Sequence, residues 1–199
     1  MRPIAGGRRL HASGDERARV QRGNASSSAG PSGRIPVVTI TDAEVNLRRA
    51  TADDAETIAA LNEHVQRLHL QAAPEQFTPI DRAAAQAFFA TQLAGQDAVA
   101  WIADLSGQAV GYLYAAEAHR AANPFTIEQH TLYVHHMAVH PVARRQGVGS
   151  AMFAAAETYA WTHGLSGLRL DSWLFNEEAH VFFQRLGFEP FVTRFARNL

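Results

Sequence analysis

The stretch that decides the fold is residues 137–150, which read MAVHPVARRQGVGS. An apolar strand pattern ends at Val139, Pro141 stops it, and an arginine-led glycine turn runs directly into a helical pattern. Small residues at Gly147 and Gly149 allow a ligand phosphate to approach the backbone closely. The unpaired N–H groups and the dipole of the helix start would face such an anion. The turn therefore predicts a phosphate-binding site.

Other kinds of glycine turn are possible alternatives to a phosphate-binding site. A strand–helix turn whose glycines serve only packing is the plain structural alternative. A P-loop is excluded, because the turn lacks the Lys-Ser/Thr that ends that motif. A dinucleotide fingerprint fits poorly, because Met152 occupies the third glycine position. ATP or NAD binding through the turn stays as a minor alternative.

On both sides of the turn, the spacing of apolar residues predicts a mixed α/β chain. Thr51 and Asp81 resemble helix caps, and the Ser106-Gly107 turn between two apolar runs indicates a β-hairpin. A last helix is expected after Asn176. In chain order, the other predicted elements are strand 43–49, helix 51–68, helix 81–93, strands 99–103 and 110–116, strand 131–139, a helix from 148 to Gly164, and strand 168–173.

A second block, residues 168–188, reads LRLDSWLFNEEAHVFFQRLGF. Together with the glycine turn, this block resembles the GNAT superfamily of acyl-CoA N-acyltransferases, and the likeness covers about residues 45–199. The resemblance implies an α/β (α+β) fold with a mixed, mostly antiparallel sheet. That sheet is splayed between two central strands, 131–139 and 168–173, and helices cover both of its faces.

The resemblance also implies a coenzyme A site. Pantetheine would pair with backbone groups of the central strand, the pyrophosphate would lie on the glycine turn, and an asparagine would contact the coenzyme. Asn176, followed by Glu177 and Glu178, is equally typical of a helix N-cap, and both roles are compatible. The coenzyme-binding residues implied are Met137, Val139, Arg144, Arg145, Gln146, Gly147, Val148, Gly149, Ser150 and Asn176.

The activity implied is acetyl-CoA-dependent N-acetyl transfer to a primary amine of a small molecule, peptide or protein. The chain has no cysteine, which excludes a cysteine thioester and favours direct attack in a ternary complex. Phe183 stands where the family often has a proton-donating tyrosine. A non-catalytic acyl-CoA-binding sensor module is therefore the alternative function.

The general base is sought along the central strand. Adjacent strand residues point to opposite faces, so His135 and His136 are not expected to reach one site, which argues against a two-histidine metal pair. We prefer His135 as a tentative base, on the face of Tyr133 and Met137. Glu128 is a weaker candidate. No metal site is expected.

Charge and composition separate a tail from the domain. Residues 1–34 hold seven arginines against two acids, a net of +5, so the remaining residues carry −6 of the total of −1. We predict a disordered Arg/Gly/Ser-rich tail at 1–36 and a GNAT-like domain at 37–199. A transit peptide is the rival interpretation of the tail. An acidic body argues against nucleic-acid binding, and no apolar run is long enough for a membrane span. A cytoplasmic location is expected.

The C-terminus is short for a closing hairpin. Residues 190–197 alternate as a strand would, with one aromatic side, and an uncovered sheet edge invites pairing with another chain. We therefore expect a homodimer with this strand at or near the contact.

Overall fold

The computed structural model describes residues 44–197; the predicted tail and residues 37–43 lie outside the described residues. Five strands and four helices make up the described domain. In chain order they are β1 Val45–Arg49, α1 Ala55–Ala72, α2 Arg82–Leu93, β2 Ala98–Leu105, β3 Gln108–Arg120, β4 Gln129–Val139, α3 Val148–Thr162, β5 Leu168–Leu170 and α4 Glu177–Arg185. Short 3-10 turns precede α1 and follow β4.

The five strands form one sheet in the order β1-β2-β3-β4-β5. Strands β1 to β4 are antiparallel neighbours, whereas β5 runs parallel to β4. That parallel pairing extends only from Leu132 opposite Leu168 to Val134 opposite Leu170. Beyond Val134 the two strands separate, which confirms the mixed, mostly antiparallel sheet splayed between these strands.

Each face of the sheet is covered by helices, as predicted. Helices α1 and α2 bury Ile58 and Phe89 against Tyr112 and its sheet neighbours. On the opposite face, α3 buries Met152 and Phe153, and apolar residues of α4 pack beside them. Two cores therefore hold the sheet, and β4 runs between them.

The helix starts agree with the predicted caps. The Asp81 carboxylate accepts the Ala84 N–H at 3.0 Å at the start of α2. Before α1, the Thr51 N–H donates to Asp54 Oδ2 at 2.9 Å. Asp54 is also held by the Arg48 guanidinium, the main cause of the lowered pKa of that carboxyl. Local chemistry thus determines where both helices begin.

The C-terminal prediction was wrong in one respect. Residues 188–197 contain no strand, although their sequence alternates. Gly187 turns the chain at φ 87° after α4, and Phe191 lies against the Arg169 guanidinium at 4.9 Å. Pro190 has no N–H to donate to a neighbouring strand. This segment therefore contacts β5 through a side chain and does not pair with it through the backbone. β5 likewise ends at Leu170, three residues earlier than predicted.

Candidate active site

The glycine turn adopts a backbone suited to holding an anion. Arg145 and Gly147 both have left-handed backbone angles, φ 63° and φ 80°. Gly147 is the N-cap of α3, and its carbonyl accepts the Ala151 N–H at 2.9 Å. The preceding N–H groups of the first helical turn have no acceptor within the helix and point outward along its axis. The turn can therefore bind a phosphate through its backbone.

The two glycines of the turn serve different purposes. A Cβ added at Gly147 would meet nothing within 4 Å, so this residue faces open space and is required by its positive φ. A Cβ at Gly149 would lie 2.8 Å from Phe182 Cζ and 3.3 Å from Met137 Cε. Gly149 therefore allows α3 to approach α4 and β4, whereas Gly147 leaves room for a ligand.

Positive charge surrounds the turn. Arg144 and Arg145 are both exposed, and the Gln146 side chain braces the turn by donating to the Val142 carbonyl at 2.8 Å. On α1, the pKa of His64 is lowered by burial and then by the positive charges of His140, Arg67 and Arg144. The turn thus offers both backbone donors and cationic side chains to an anion.

The splay exposes backbone groups of β4. The His140 N–H donates to the Val110 carbonyl at 2.7 Å, towards β3. Because alternate residues of a strand direct their N–H and C=O groups to opposite edges, those of Val139 and Met137 point into the gap. The predicted pantetheine partners therefore have free edge positions. Extended ligands can pair with such an edge like an added strand.

Asn176 occupies the N-cap of α4, where its carbonyl accepts the His180 N–H at 3.1 Å. Glu177 and Glu178 follow in the first turn, as the sequence predicts. The Asn176 side chain makes no capping bond to its own helix. Its amide group is therefore left for another partner.

The two histidines of β4 correct the sequence prediction. A β-bulge lies between Tyr114 and Ala115 of β3, so that Tyr114 pairs with His136 and Ala115 pairs with Val134. His135 is the extra residue. Both imidazole rings therefore lie near the Tyr114 ring, with centroids at 5.3 Å and 6.3 Å. The alternation rule fails at the bulge, and the two histidines share one face.

The same bulge corrects the predicted neighbours of His135. Its ring lies 4.9 Å from that of Tyr133, as expected. Met137, however, packs in the core on the α3 side, whereas His136 contacts Phe89 on the α2 side. His135 and Met137 are therefore on opposite faces. In the part of the chain that the structure describes, no group of three or more histidine or acidic side chains could hold a metal ion.

Burial keeps both histidines neutral near neutral pH. Partial burial lowers the pKa of His135, which remains accessible to solvent. Burial, with smaller contributions from His135 and His69, lowers the pKa of His136 to about 4. A neutral, accessible imidazole is the form that accepts a proton, so His135 has the chemistry of a general base. His136 is enclosed by rings.

Tyr133 and Asp171 complete the polar side of the bulge. Burial first, and then the nearby Asp171 carboxylate, raises the pKa of Tyr133 to about 12. Asp171 immediately follows β5, one residue beyond the last β4–β5 pair, Val134 opposite Leu170. The Arg194 guanidinium lies 3.9 Å from this carboxylate, and both side chains are largely exposed. Asp171 cannot be singled out from the sequence alone, because its proximity to Tyr133 depends on the parallel pairing of β4 and β5.

Glu128 and His135 are not brought together. Glu128 Oε1 lies 2.7 Å from His119 Nε2, and His119 pairs with His130 at the start of β4. Five residues of extended strand separate His130 from His135, about 17 Å. Glu117, on β3, accepts the Tyr159 hydroxyl at 2.9 Å. These acids lie near the other end of β4.

Phe183 lies in an aromatic cluster of the α3–α4 core, with its ring 5.8 Å from Phe153 and 6.0 Å from Phe188. A phenyl ring supplies no proton. Proton donation at this position is therefore absent from the described site.

Rings from separate segments meet in a second aromatic cluster, which is linked to the bulge by the effect of His69 on the pKa of His136. His69, at the end of α1, stacks on Phe77 at 4.7 Å and meets Phe175 at 5.7 Å. Trp173 meets Phe77 at 5.1 Å and stacks on Phe175 at 5.9 Å. These four residues, His69, Phe77, Trp173 and Phe175, form what we call the aromatic wall. These four residues come from separate segments and meet only in the fold.

Comparison with solved structures supports the class of fold. The BH1408 protein of Bacillus halodurans, solved as a tetramutant, matches with a TM-score of 0.73 and 22% identity, covering 77% of this chain and 99% of that one. The aminoglycoside N-acetyltransferase AAC(6')-Iy in complex with CoA matches with a TM-score of 0.64 and 20% identity, covering 81% and 99% of the two chains. The described domain therefore has the fold of these proteins.

Sequence comparison identifies the family. A model of the Acetyltransferase (GNAT) family matches residues 59–188, well over half of the chain. The uncharacterized N-acetyltransferase YhfO of Bacillus subtilis (strain 168) is 27% identical over 148 residues, which are 73% of this chain and 90% of that protein. The protein is an acyltransferase. It belongs to the GNAT acetyltransferase family.

In the described residues, no helix is both long and apolar enough to cross a membrane.

Proposed function

We propose that the protein transfers an acetyl group from acetyl-CoA to a primary amine, by direct attack at the β4 bulge. The observation that carries the proposal is the position of His135. The bulge places this accessible, neutral histidine on β4, two residues before Met137, where the strand edge opens to the gap. A proton acceptor and an anion-binding turn thus lie along the same strand.

The residues present fit coenzyme A. Gly147 opens onto free space, the first turn of α3 presents its N–H groups, and Arg144 and Arg145 add positive charge. Met137 and Val139 direct backbone groups into the splay. The Asn176 amide, unused by its own helix, is a further contact in this proposal. When bound, acetyl-CoA supplies a thioester carbonyl and a thiolate leaving group.

The amine must lose a proton before its nitrogen can attack. His135 accepts that proton from the ammonium, the new C–N bond forms at the thioester carbon, the C–S bond breaks, and the second nitrogen proton leaves to solvent. The released thiolate takes a proton from solvent, because Phe183 has none to give. Proton transfer by a positioned base contributes about 10²–10⁴-fold to such reactions.

Free-thiol release with a panel of primary amines tests this function. The enzyme should release CoA thiol in step with acetylated amine detected by mass spectrometry, and should release none when amine is omitted. A protein that binds acetyl-CoA but releases no thiol with any amine would instead be the sensor module.

We also propose that the protein is a homodimer. The C-terminal segment leaves Phe191, Val192 and Phe195 exposed next to β5, the last strand of the sheet. Exposed apolar residues beside a sheet edge favour association. Sedimentation over a range of concentrations should show a dimer; a monomer at high concentration would exclude this.

A further inference from the structure

The aromatic wall is linked to the bulge through His69. Two of its residues, Trp173 and Phe175, come from the loop after β5; His69 and Phe77 come from α1 and the segment following it. His69 is close enough to His136 to affect the pKa of that ring. The wall therefore joins the ring cluster around the proposed base.

The wall offers π-faces that are partly open to solvent. Trp173 has 42% of its surface exposed, and Phe77 and Phe175 are half-buried. Near the bulge, Phe88 adds another exposed ring, 5.9 Å from His136. Aromatic rings at a binding surface favour stacked or edge-to-face contact with a second ring. The shape and chemistry suit a flat, aromatic group.

Burial lowers the pKa of His69, so that this ring is neutral near neutral pH. Asp171 is the carboxylate that the structure places against Tyr133, and its pair with Arg194 at 3.9 Å is loose and exposed, which makes it weak. Glu177 and Glu178 are exposed on α4. Asp171 thus lies by Tyr133, whose ring is 4.9 Å from that of the proposed base, and one such carboxylate matches one ammonium group.

We infer that the acceptor is a monoamine carrying an aromatic ring a short chain away from its nitrogen. The ring stacks on the aromatic wall, and the ammonium lies between Asp171 and His135 before it is deprotonated. This inference rests on the proposed function, and it adds the class of acceptor. The neighbouring aminoglycoside acetyltransferase acts, by its name, on a different class of amine.

A matched amine series tests the inference. The full chain is assayed for thiol release with 2-phenylethylamine, 2-cyclohexylethylamine and the polycation neamine. The aromatic amine should exceed its saturated counterpart in kcat/KM by about three- to tenfold, the range expected for an aromatic pair beyond its buried area. It should exceed neamine by about tenfold or more. Equal rates for the two monoamines, or preference for neamine, would overturn the inference.

Variants of the aromatic wall test where the ring of the amine binds. Trp173→Ala should raise KM for 2-phenylethylamine about tenfold, leave kcat within about twofold, and remove the advantage over 2-cyclohexylethylamine. Trp173→Phe should restore the preference. Trp161→Ala is the matched control, because Trp161 is 83% exposed on α3, and it should behave as the wild type. Acetyl-CoA should raise the melting temperature of every variant equally, which shows that each is folded. Phe77→Ala provides a second test should Trp173→Ala fail that check.

The acceptor class and the acetyl transfer itself can be tested separately. Thiol release with neamine but not with aromatic amines would overturn only the acceptor class. An unchanged aromatic preference in Trp173→Ala and Phe77→Ala would remove the wall from the site. Binding of acetyl-CoA without thiol release from any amine would overturn the proposed function, and the acceptor class with it.

Discussion

The glycine turn and the β4 bulge lie on one continuous segment, residues 133–150, but they are built in different ways. The turn depends on neighbours in sequence: Pro141 ends the strand, Gly147 takes a positive φ, and α3 begins at once. The bulge depends on register with β3, where Tyr114 and Ala115 pair with residues two apart. Local geometry builds the turn proposed for the coenzyme, whereas long-range pairing builds the bulge proposed for the amine. The two sides should therefore fail separately when changed.

The largest effect is expected for Gly147→Glu. A carboxylate would enter the space proposed for the pyrophosphate, so acetyl-CoA should no longer bind and turnover should be lost. In the wild type, ligand at 100 times its Kd adds about 2.7 kcal/mol of stability, roughly 5–10 °C in melting temperature for a chain of this size. That shift should be absent from the variant in thermal unfolding.

Gly107→Glu is the matched control for this change. Gly107 has φ 78°, against 80° for Gly147, and an added Cβ there also meets nothing within 4 Å. Both variants therefore carry the same backbone strain, about 1–2 kcal/mol. Only Gly147→Glu should lose the coenzyme-dependent shift. Loss of the shift in both would attribute the effect to strain, and retention in both would place the coenzyme elsewhere.

His135→Ala should lower kcat/KM by about 10²–10⁴-fold, because the proposed base is removed. The wild type should lose activity in acid as His135 becomes protonated. Since the pKa of His135 is lowered, the midpoint of this acid limb should lie below about 6.5. A pH–rate profile checks both points: the limb should be absent from His135→Ala, and an unchanged rate and profile would exclude His135 as the base.

His136 should affect stability with pH. Its pKa is near 6.5 in the unfolded chain and about 4 in the folded protein, so the unfolded state binds the proton first as pH falls. Above about pH 6.5, His136 should therefore not reduce the free energy of unfolding. Between pH 7.5 and pH 5, protonation of this residue in the unfolded state should lower that free energy by about 2 kcal/mol. Urea unfolding of the wild type and His136→Gln at both pH values measures the contribution.

In His136→Gln, the free energy of unfolding should fall between pH 7.5 and pH 5 by about 2 kcal/mol less than in the wild type. His135→Gln serves as the comparison, since His135 is more accessible and should change the pH dependence less. Equal pH dependence in the wild type and His136→Gln would mean that His136 is not held neutral by burial.

The smallest effect is expected for Phe183→Tyr. If solvent already protonates the thiolate, the added hydroxyl should leave turnover unchanged; if protonation is limiting, turnover should rise. Steady-state thiol release measures this, with Phe125→Tyr as the control, because the Phe125 ring is exposed and has room for a hydroxyl. A fall of tenfold or more in a folded Phe183→Tyr protein would show that position 183 does not correspond to the tyrosine of the family.

Features built by neighbours in sequence could be predicted, whereas features built by long-range pairing could not. Thr51, Asp81 and the Ser106-Gly107 turn carry their structural information locally, and the helices and hairpin that they predict are present. The glycine turn was located for the same reason. By contrast, the shared face of His135 and His136 was missed, because strand alternation holds only where both strands keep register.

The ends of the sheet were also harder to predict. Residues 190–197 alternate like a strand, but a strand needs a partner edge, and the contact of Phe191 with Arg169 is a side-chain contact. The aromatic wall was missed because its rings come from α1, the segment after α1 and the loop after β5. Sequence alone gives no distance between such segments.

Coenzyme binding on the glycine turn should be separate from proton transfer at the bulge. Calorimetric titration of His135→Ala with acetyl-CoA, alongside measurement of its turnover, tests this separation. The account predicts that the variant binds acetyl-CoA within about twofold of the wild-type Kd while its kcat/KM for amine falls about 10²–10⁴-fold. A variant that loses coenzyme affinity tenfold or more, or that keeps its turnover, would contradict it.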